Sequence, residues 1–257
     1  MRNELSAAVI FIAMSGTTPA LADVNVISSG GFTAAYKELV PACEAKIGHR
    51  VISAYGASMG AAPDAIPNRL ARGEPADVVI LAGDAFDKLV AEGKGMPGTR
   101  TDLARSAIGL SVKAGAPKPD ISTVEALRRT LMEAKSIAYS ASASGTYLSE
   151  ELFPKLDPSG QVMAKSKKIL SERVGTIVAR GEAELGFQQV SELIPIEGIE
   201  FVGTLPEDVQ RVTIFSAGLA AGAKEPAAAR ALIACLGGAE AGSTIRKTGL
   251  DPIPASK

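Results

Sequence analysis

An α/β fold divided into two lobes is the architecture this sequence predicts, on three observations. From Asp23 onward, short apolar runs alternate with amphipathic stretches of helical period, the pattern of strand–helix units. Two turns rich in hydroxyls and glycine, Ser28-Ser29-Gly30-Gly31 and Ser140-Ala141-Ser142-Ala143-Ser144-Gly145, each follow a short apolar run and lead into a helical pattern. The stretch from Ala71 to Asp77, a helix end capped by Gly73 before a buried strand, is echoed from Ala179 to Leu185, where Gly181 caps.

The elements follow in order. Val24–Ile27 reads as a buried strand, and Phe32–Ile47 as a helix kinked at Pro41 and closed by Gly48. Val51–Tyr55 is the next strand, followed by the small-residue turn Gly56-Ala57-Ser58-Met59-Gly60 and a helix that runs to Arg72. Asp77–Leu81 is a strand and Phe86–Glu92 a short helix beginning near Asp84. Ser106–Val112 reads as a strand, and Ser122-Thr123-Val124-Glu125 has the capping-box spacing that opens a helix to about Ala134. Ile137–Ser140 is a strand, Tyr147–Leu156 a helix, and Glu172–Arg180 a helix with Ser171 at its N-cap. Strands at Leu185–Gln188, Glu200–Val202 and Val212–Ala217 precede closing helices near Pro226–Leu236 and Glu240–Lys247.

Composition narrows the function. A net charge of -1 supplies no basic field for nucleic acid or an anionic membrane. Aromatics are 4% and Trp is absent, which argues against a surface that stacks bases or sugars. The single histidine, His49, sits in a turn, so neither a His-based triad nor a multi-His metal site is expected, and no cofactor is implied. Arg2, the apolar stretch from Leu5 to Met14 and the small residues ending Ala20-Leu21-Ala22 have the layout of a secretory signal peptide cleaved after Ala22. That run is too short to span a bilayer, so a periplasmic monomer without stable membrane insertion is expected. Cys43 lies on an apolar helical face with Leu39 and Ile47, and Cys235 on one with Leu232. Two separate buried thiols are the preferred reading, although an oxidising compartment would let them pair.

With these segments placed, the chain resembles the periplasmic molybdate-binding proteins of ABC importers nearly end to end. The resemblance is carried by Val26-Ile27-Ser28-Ser29-Gly30-Gly31-Phe32-Thr33, Gly56-Ala57-Ser58, the run from Arg72 to Val78, the run from Val178 to Gly186, and Thr248-Gly249-Leu250. It implies a two-lobed type II binding fold, with residues 23–103 and 218–257 in one lobe and 104–217 in the other. Hinge strands would lie near Ala104–Val112 and Val209–Ala217, with a small anion enclosed between the lobes. It places ligand contacts at Gly31 and Ser58, the Ser142–Gly145 turn, Ser171 and Gln189. The chain departs from the molybdate pattern by having Gly31 in place of a hydroxyl residue and Gln189 in place of a tyrosine. An amide both donates and accepts, so it suits carboxyl and hydroxyl groups as well as an oxyanion.

A strand entering a helix through small residues leaves backbone N–H groups unpaired at the positive end of the helix, a natural anion cradle. Ser29 and Gly30 belong to the first cradle, and Ser142, Ser144, Gly145 and Thr146 to the second. Arg173 can pair a carboxylate, and Gln188 and Gln189 end a buried strand where one amide is expected to face the cleft. Two functions follow. The first is an exported solute-binding protein that captures an oxyanion or small polycarboxylate for an ABC permease. The second is an isomerase on the same scaffold, of the aconitate isomerase type, that shifts a double bond by allylic proton transfer; its base would be Glu172, Glu192 or Tyr147.

Overall fold

The computed structural model describes residues 22–254; residues 1–21, in which nearly all of the expected signal peptide falls, lie outside the described part. β1 (Val24–Ser29) is buried and enters α1 (Gly30–Ile47), which runs through Pro41. α1 stops at Gly48, whose φ of 73° is one that L side chains rarely adopt and whose N–H returns to Glu44 O. β2 (Val51–Gly56), α2 (Ile66–Ala71), β3 (Val78–Ala82) and α3 (Gly83–Ala91) follow as strand–helix units. The predicted strand over Ser106–Val112 is in fact two, β4 (Thr101–Ser106) and β5 (Ile108–Lys113), and the chain passes from one sheet to the other at Ala107.

α4 (Val124–Glu133) opens at Thr123, whose Oγ1 accepts from Ala126 N at 3.1 Å, so Thr123 and not Ser122 is the cap. After β6 (Ile137–Ser140), the helix expected from Tyr147 starts earlier, as α5 (Ala143–Tyr147). It continues through a π-helical turn at Leu148–Leu152 into α6 (Phe153–Leu156). α7 (Gln161–Ala164) and β7 (Ser166–Ile169) were not anticipated in their polar segment. α8 (Val174–Ala179) is shorter than predicted, with Arg173 rather than Ser171 at its N-cap. β8 (Leu185–Gln189), the short α9 (Val190–Leu193), β9 (Ile199–Thr204), β10 (Thr213–Leu219), α10 (Pro226–Leu236), α11 (Gly242–Lys247) and β11 (Asp251–Pro252) complete the described chain.

Two sheets result, in the orders β11-β4-β10-β3-β1-β2 and β7-β6-β8-β5-β9. β1 pairs in parallel with β2 and β3, and β6 with β7 and β8, while β10 and β5 run antiparallel to their neighbours. Each sheet is covered on both faces. One face of the first packs Phe32 and Tyr36 of α1 with Leu232 and Leu236 of α10, and the other packs Phe86 and Leu89 of α3. The second sheet buries Phe153 and Phe187 on one side and Val174 and Val178 of α8 on the other. The fold is therefore two-lobed α/β, and ligand crevices in such sheets open beyond the carboxyl ends of their parallel strands. Ser29, Ser140 and Gln189 are the last residues of β1, β6 and β8.

The two cysteines are bonded to each other, contrary to the preferred sequence reading: Cys43 of α1 and Cys235 of α10 form a disulfide with a Cα–Cα distance of 5.8 Å. Each does lie on the apolar face expected of it, but α10 returns to pack on α1 and brings the two faces together. The bond closes a loop with a sequence separation of 192 residues, so it removes much chain entropy from the unfolded state. The double variant C43A/C235A is expected to lose about 2–5 kcal/mol of stability. Urea unfolding with and without reductant checks this: reductant should destabilise the parent protein and leave the variant unchanged.

Candidate functional site

Between the carboxyl ends of the two sheets lies a cleft with a cavity volume of about 260 Å³. The first lobe contributes Ser29, Gly30 and Gly31 at the start of α1, Lys37 one to two turns on, Tyr55 and Gly56 at the end of β2, and Ser58 and Asp64 from the turn beyond. The second lobe contributes Ser140 to Ser144, the Ile169–Arg173 segment, Gln188, Gln189 and Glu192. Phe215 of β10 lines the cleft between them.

Ser29 is the N-cap residue of α1, yet its side chain makes no cap bond. Its Oγ is buried and is the one side-chain polar atom among the described residues that is both buried and without a hydrogen-bond partner. A buried hydroxyl left unpaired costs roughly 1–3 kcal/mol, so a partner that enters the cleft is the natural way to satisfy it. Ser58 is also buried; its Oγ accepts from Ala82 N at 3.0 Å, and its own N–H donates across the cleft to Ser142 Oγ at 3.2 Å. Ser171 Oγ donates to Asp64 Oδ1 at 3.1 Å, a second bond between the lobes. The lobes are thus drawn together over the cleft.

Three expected contacts lie elsewhere. Gly145 is buried against β6, where a Cβ would fall 1.5 Å from Ser140 O. Thr146 and Tyr147 line a separate cavity of about 370 Å³ with Arg100 and Arg211. Tyr147 OH donates to Val209 O at 2.8 Å and Arg211 stacks 4.4 Å from its ring centre, so Tyr147 is not positioned to act as a base in the cleft. Gln189 lines the cleft, but in the orientation that satisfies its neighbours its amide is used up at the crossing between sheets. Its oxygen accepts from Thr213 Oγ1 at 2.9 Å and its nitrogen donates to Ser106 Oγ at 2.8 Å and Ala107 O at 3.2 Å. It ties β8 to the β4–β5 and β10 crossings while lining the cleft. Glu172 is exposed and forms a two-pronged pair with Arg180, which holds its carboxyl below the usual carboxylate range and makes it a weak base.

Glu192 is different. The sequence alone gives it as an ordinary helix residue, yet its carboxyl group lies over the start of α1, where a Cβ on Gly30 would fall 2.0 Å from Glu192 Oε1. Gln188 Nε2 donates to Oε1 at 2.9 Å. Loss of water around the carboxyl group pushes its pKa up to about 7, against the opposing pull of Arg173 and the Gln188 bond. A carboxyl group that titrates near neutrality can take a proton and return it. Gly31 has an analogous cause: a Cβ there would fall 2.0 Å from the Phe215 ring, which fills the space that a side chain at position 31 would need. The doubled glycine was the available sequence signal that something approaches this backbone closely.

The cleft carries two cations, Lys37 from one lobe and Arg173 from the other. Lys37, whose Nζ lies 4.9 Å from the Tyr55 ring centre, is the lining cation that sequence reasoning missed, as it missed the lining residues Tyr55, Asp64 and Phe215. It sits two turns along α1 and looks like any exposed helical lysine until the fold faces it toward the second lobe.

Because Glu192 binds its proton more tightly in the folded protein than in the unfolded chain, the unfolded state sheds its proton first as pH rises. Stability should therefore fall between about pH 4.5 and 7. The variant E192Q, which has no charge to desolvate, is expected to exceed the parent at pH 8 by on the order of 1–3 kcal/mol and to match it near pH 4. Urea denaturation at the two pH values measures this; equal stability of parent and variant at both would contradict the desolvation of the carboxyl group.

The comparisons with known proteins agree with this architecture. The family model for bacterial extracellular solute-binding proteins matches residues 24–251. An aconitate isomerase from Pseudomonas sp is 48% identical over 244 residues, 93% of each chain. The molybdate-binding protein ModA of Azotobacter vinelandii is 28% identical over 240 residues, 89% of each chain. Among solved structures, the sulfate-binding protein SubI of Mycobacterium tuberculosis H37Rv superposes with a TM-score of 0.70 at 20% identity, covering 91% of this chain and 88% of that one. This chain belongs to the bacterial extracellular solute-binding protein family.

Proposed function

We propose that this protein is an aconitate isomerase, which encloses an unsaturated tricarboxylate between its lobes and moves one proton along its carbon skeleton. The half-buried carboxyl group of Glu192, which lines the cleft against the start of α1, carries this reading. A relative 48% identical over 93% of the chain and named aconitate isomerase supports it. Lys37, Arg173, the Ser29 hydroxyl and the free N–H groups at the start of α1 supply donors for three carboxylates. The Phe215 ring offers an apolar surface to the carbon atoms between them.

Glu192, as carboxylate, takes a proton from the methylene carbon next to the double bond. The electron pair released spreads through the allyl system into a neighbouring carboxylate, where cleft donors hold the extra charge. Protonated Glu192 then delivers the proton to the former vinylic carbon, and the double bond lies on the other side of the central carbon. One C–H bond breaks and one forms, with no net gain or loss of protons or electrons. A pKa near 7 keeps both protonation states accessible near neutrality. The lobes, taken as residues 23–103 with 218–257 and 104–217, would close about the crossings at Ala107 and between β9 and β10. The Cys43–Cys235 bond fits an exported, periplasmic protein.

The second reading is capture without chemistry: a solute-binding protein that delivers a small anion to an ABC permease. The hydrogen bonds that hold the lobes together, Ser58 to Ser142 and Ser171 to Asp64, favour a cleft that closes on a solute. Following the absorbance of cis- and trans-aconitate separates the two. The isomerase reading expects turnover by the parent protein and a loss of at least a thousandfold in E192Q, with both proteins still stabilised thermally by trans-aconitate. Stabilisation by molybdate or sulfate without any aconitate turnover would give the cleft to capture.

A further inference from the structure

Gln188, near the end of β8, lies four residues before Glu192 of α9, and its amide can point only one way. Its Oε1 accepts from the buried N–H of Val174 at 2.9 Å, a group that can only donate. The amide nitrogen is thereby turned toward Glu192 Oε1, at 2.9 Å. An amide N–H cannot accept a proton, so Oε1 stays an acceptor whether Glu192 is ionised or neutral. When Glu192 is protonated, its proton is favoured on Oε2, because the N–H bond is stronger to a carbonyl oxygen than to a hydroxyl one. We propose that Gln188 is a positioning residue, which reserves Oε2 as the atom that takes and returns the substrate proton and ties that atom to the first turn of α8. The proposal rests on the isomerase reading for its chemistry but not for its geometry.

The surroundings of Glu192 bear on how it titrates. Arg173, the N-cap residue of α8, is the cation whose field reaches it and favours the carboxylate. The start of α1 presents backbone and Gly30 there, with no acidic residue in its first turn. Lys37, Asp64 and Glu172 line the same cleft, the last paired with Arg180 and Asp64 accepting from Ser171. Among these groups, Gln188 makes the one hydrogen bond to the carboxyl group. Its removal takes away a donor that favours the ionised form.

Two variants test this. Gln188→Met keeps the length and removes both polar groups. Gln188→Glu keeps an acceptor for Val174 N–H, hence the local fold, and replaces the donor with a second carboxyl oxygen; two carboxyls this close retain one proton between them through neutral pH. Titration is read by ¹³C NMR of glutamate-labelled protein, with the Glu192 signal identified by its absence in E192Q. In both variants the midpoint is expected to move upward by about one unit, tenfold in proton affinity, or more. The acid limb of kcat for aconitate should move with it, kcat at pH 7 should fall about fivefold or more, and KM should stay within about threefold. Midpoints that stay within about 0.3 unit of the parent in both variants, or a rise in KM alone, would overturn the positioning role. If the parent does not isomerise aconitate, the isomerase reading fails while the NMR titration still decides what Gln188 does.

Discussion

The approach of the Glu192 carboxyl group to the first turn of α1 is the constraint on which the rest of the cleft depends. It joins the lobes: Glu192 follows β8 of the second sheet, and Gly30 follows β1 of the first. It shields the carboxyl group from water, which pushes its pKa up to about 7. Glycine at position 30 leaves it room, because a Cβ there would displace Oε1 from its place. Ser191, the residue before Glu192, reinforces the join by donating from Oγ to Gly31 O at 2.7 Å. The short α9 is thus pinned to the helix whose N-terminus it faces.

Around that contact the protein divides rigidity and exposure. The first lobe is stapled by the Cys43–Cys235 bond between α1 and α10, which keeps the long helix of the anion cradle in place on its sheet. The crossings between sheets are held by the Gln189 amide, which reaches β4, the Ala107 link and β10 at once. The groups left with capacity to spare are those that face the cavity: the Ser29 hydroxyl, the start of α1, Lys37 and Arg173. This is the economy expected of a binding cleft, in which polar groups with a protein partner build the frame and those without one meet the ligand.

Much of this was legible in the chain itself. The alternation of apolar runs and helical stretches marks most of the larger strands and helices, since each unit buries its own apolar face and needs no distant partner to be recognised. The hydroxyl and glycine turns after β1 and β6 are local features and lie where the crevice opens. What the chain conceals is tertiary. Glu192 has the spacing of a solvated helix residue, and only the second lobe folding against Gly30 dries it. Gln188 and Gln189 look equivalent as adjacent amides, but successive strand residues point to opposite faces, so one serves Glu192 and the other the sheet crossing. Cys43 and Cys235 each read correctly as apolar-face residues; their pairing depends on α10 returning to α1. Tyr147 was misplaced because its helix begins four residues earlier than its apolar pattern implies, which turns the ring toward Arg211.

The central claim is that Glu192 moves a proton on carbon. Proton NMR of trans-aconitate incubated with the protein in D₂O tests it at the atom concerned, because it follows the methylene signal itself. Transfer by Glu192 predicts that the trans-aconitate methylene signal falls as cis-aconitate signals rise with the parent protein, and neither change with E192Q under conditions where trans-aconitate still binds. The product carries the returned proton, or deuterium to the extent that protonated Glu192 exchanges with solvent before returning it. A methylene signal that persists with the parent protein, or that disappears equally fast with E192Q, would contradict it.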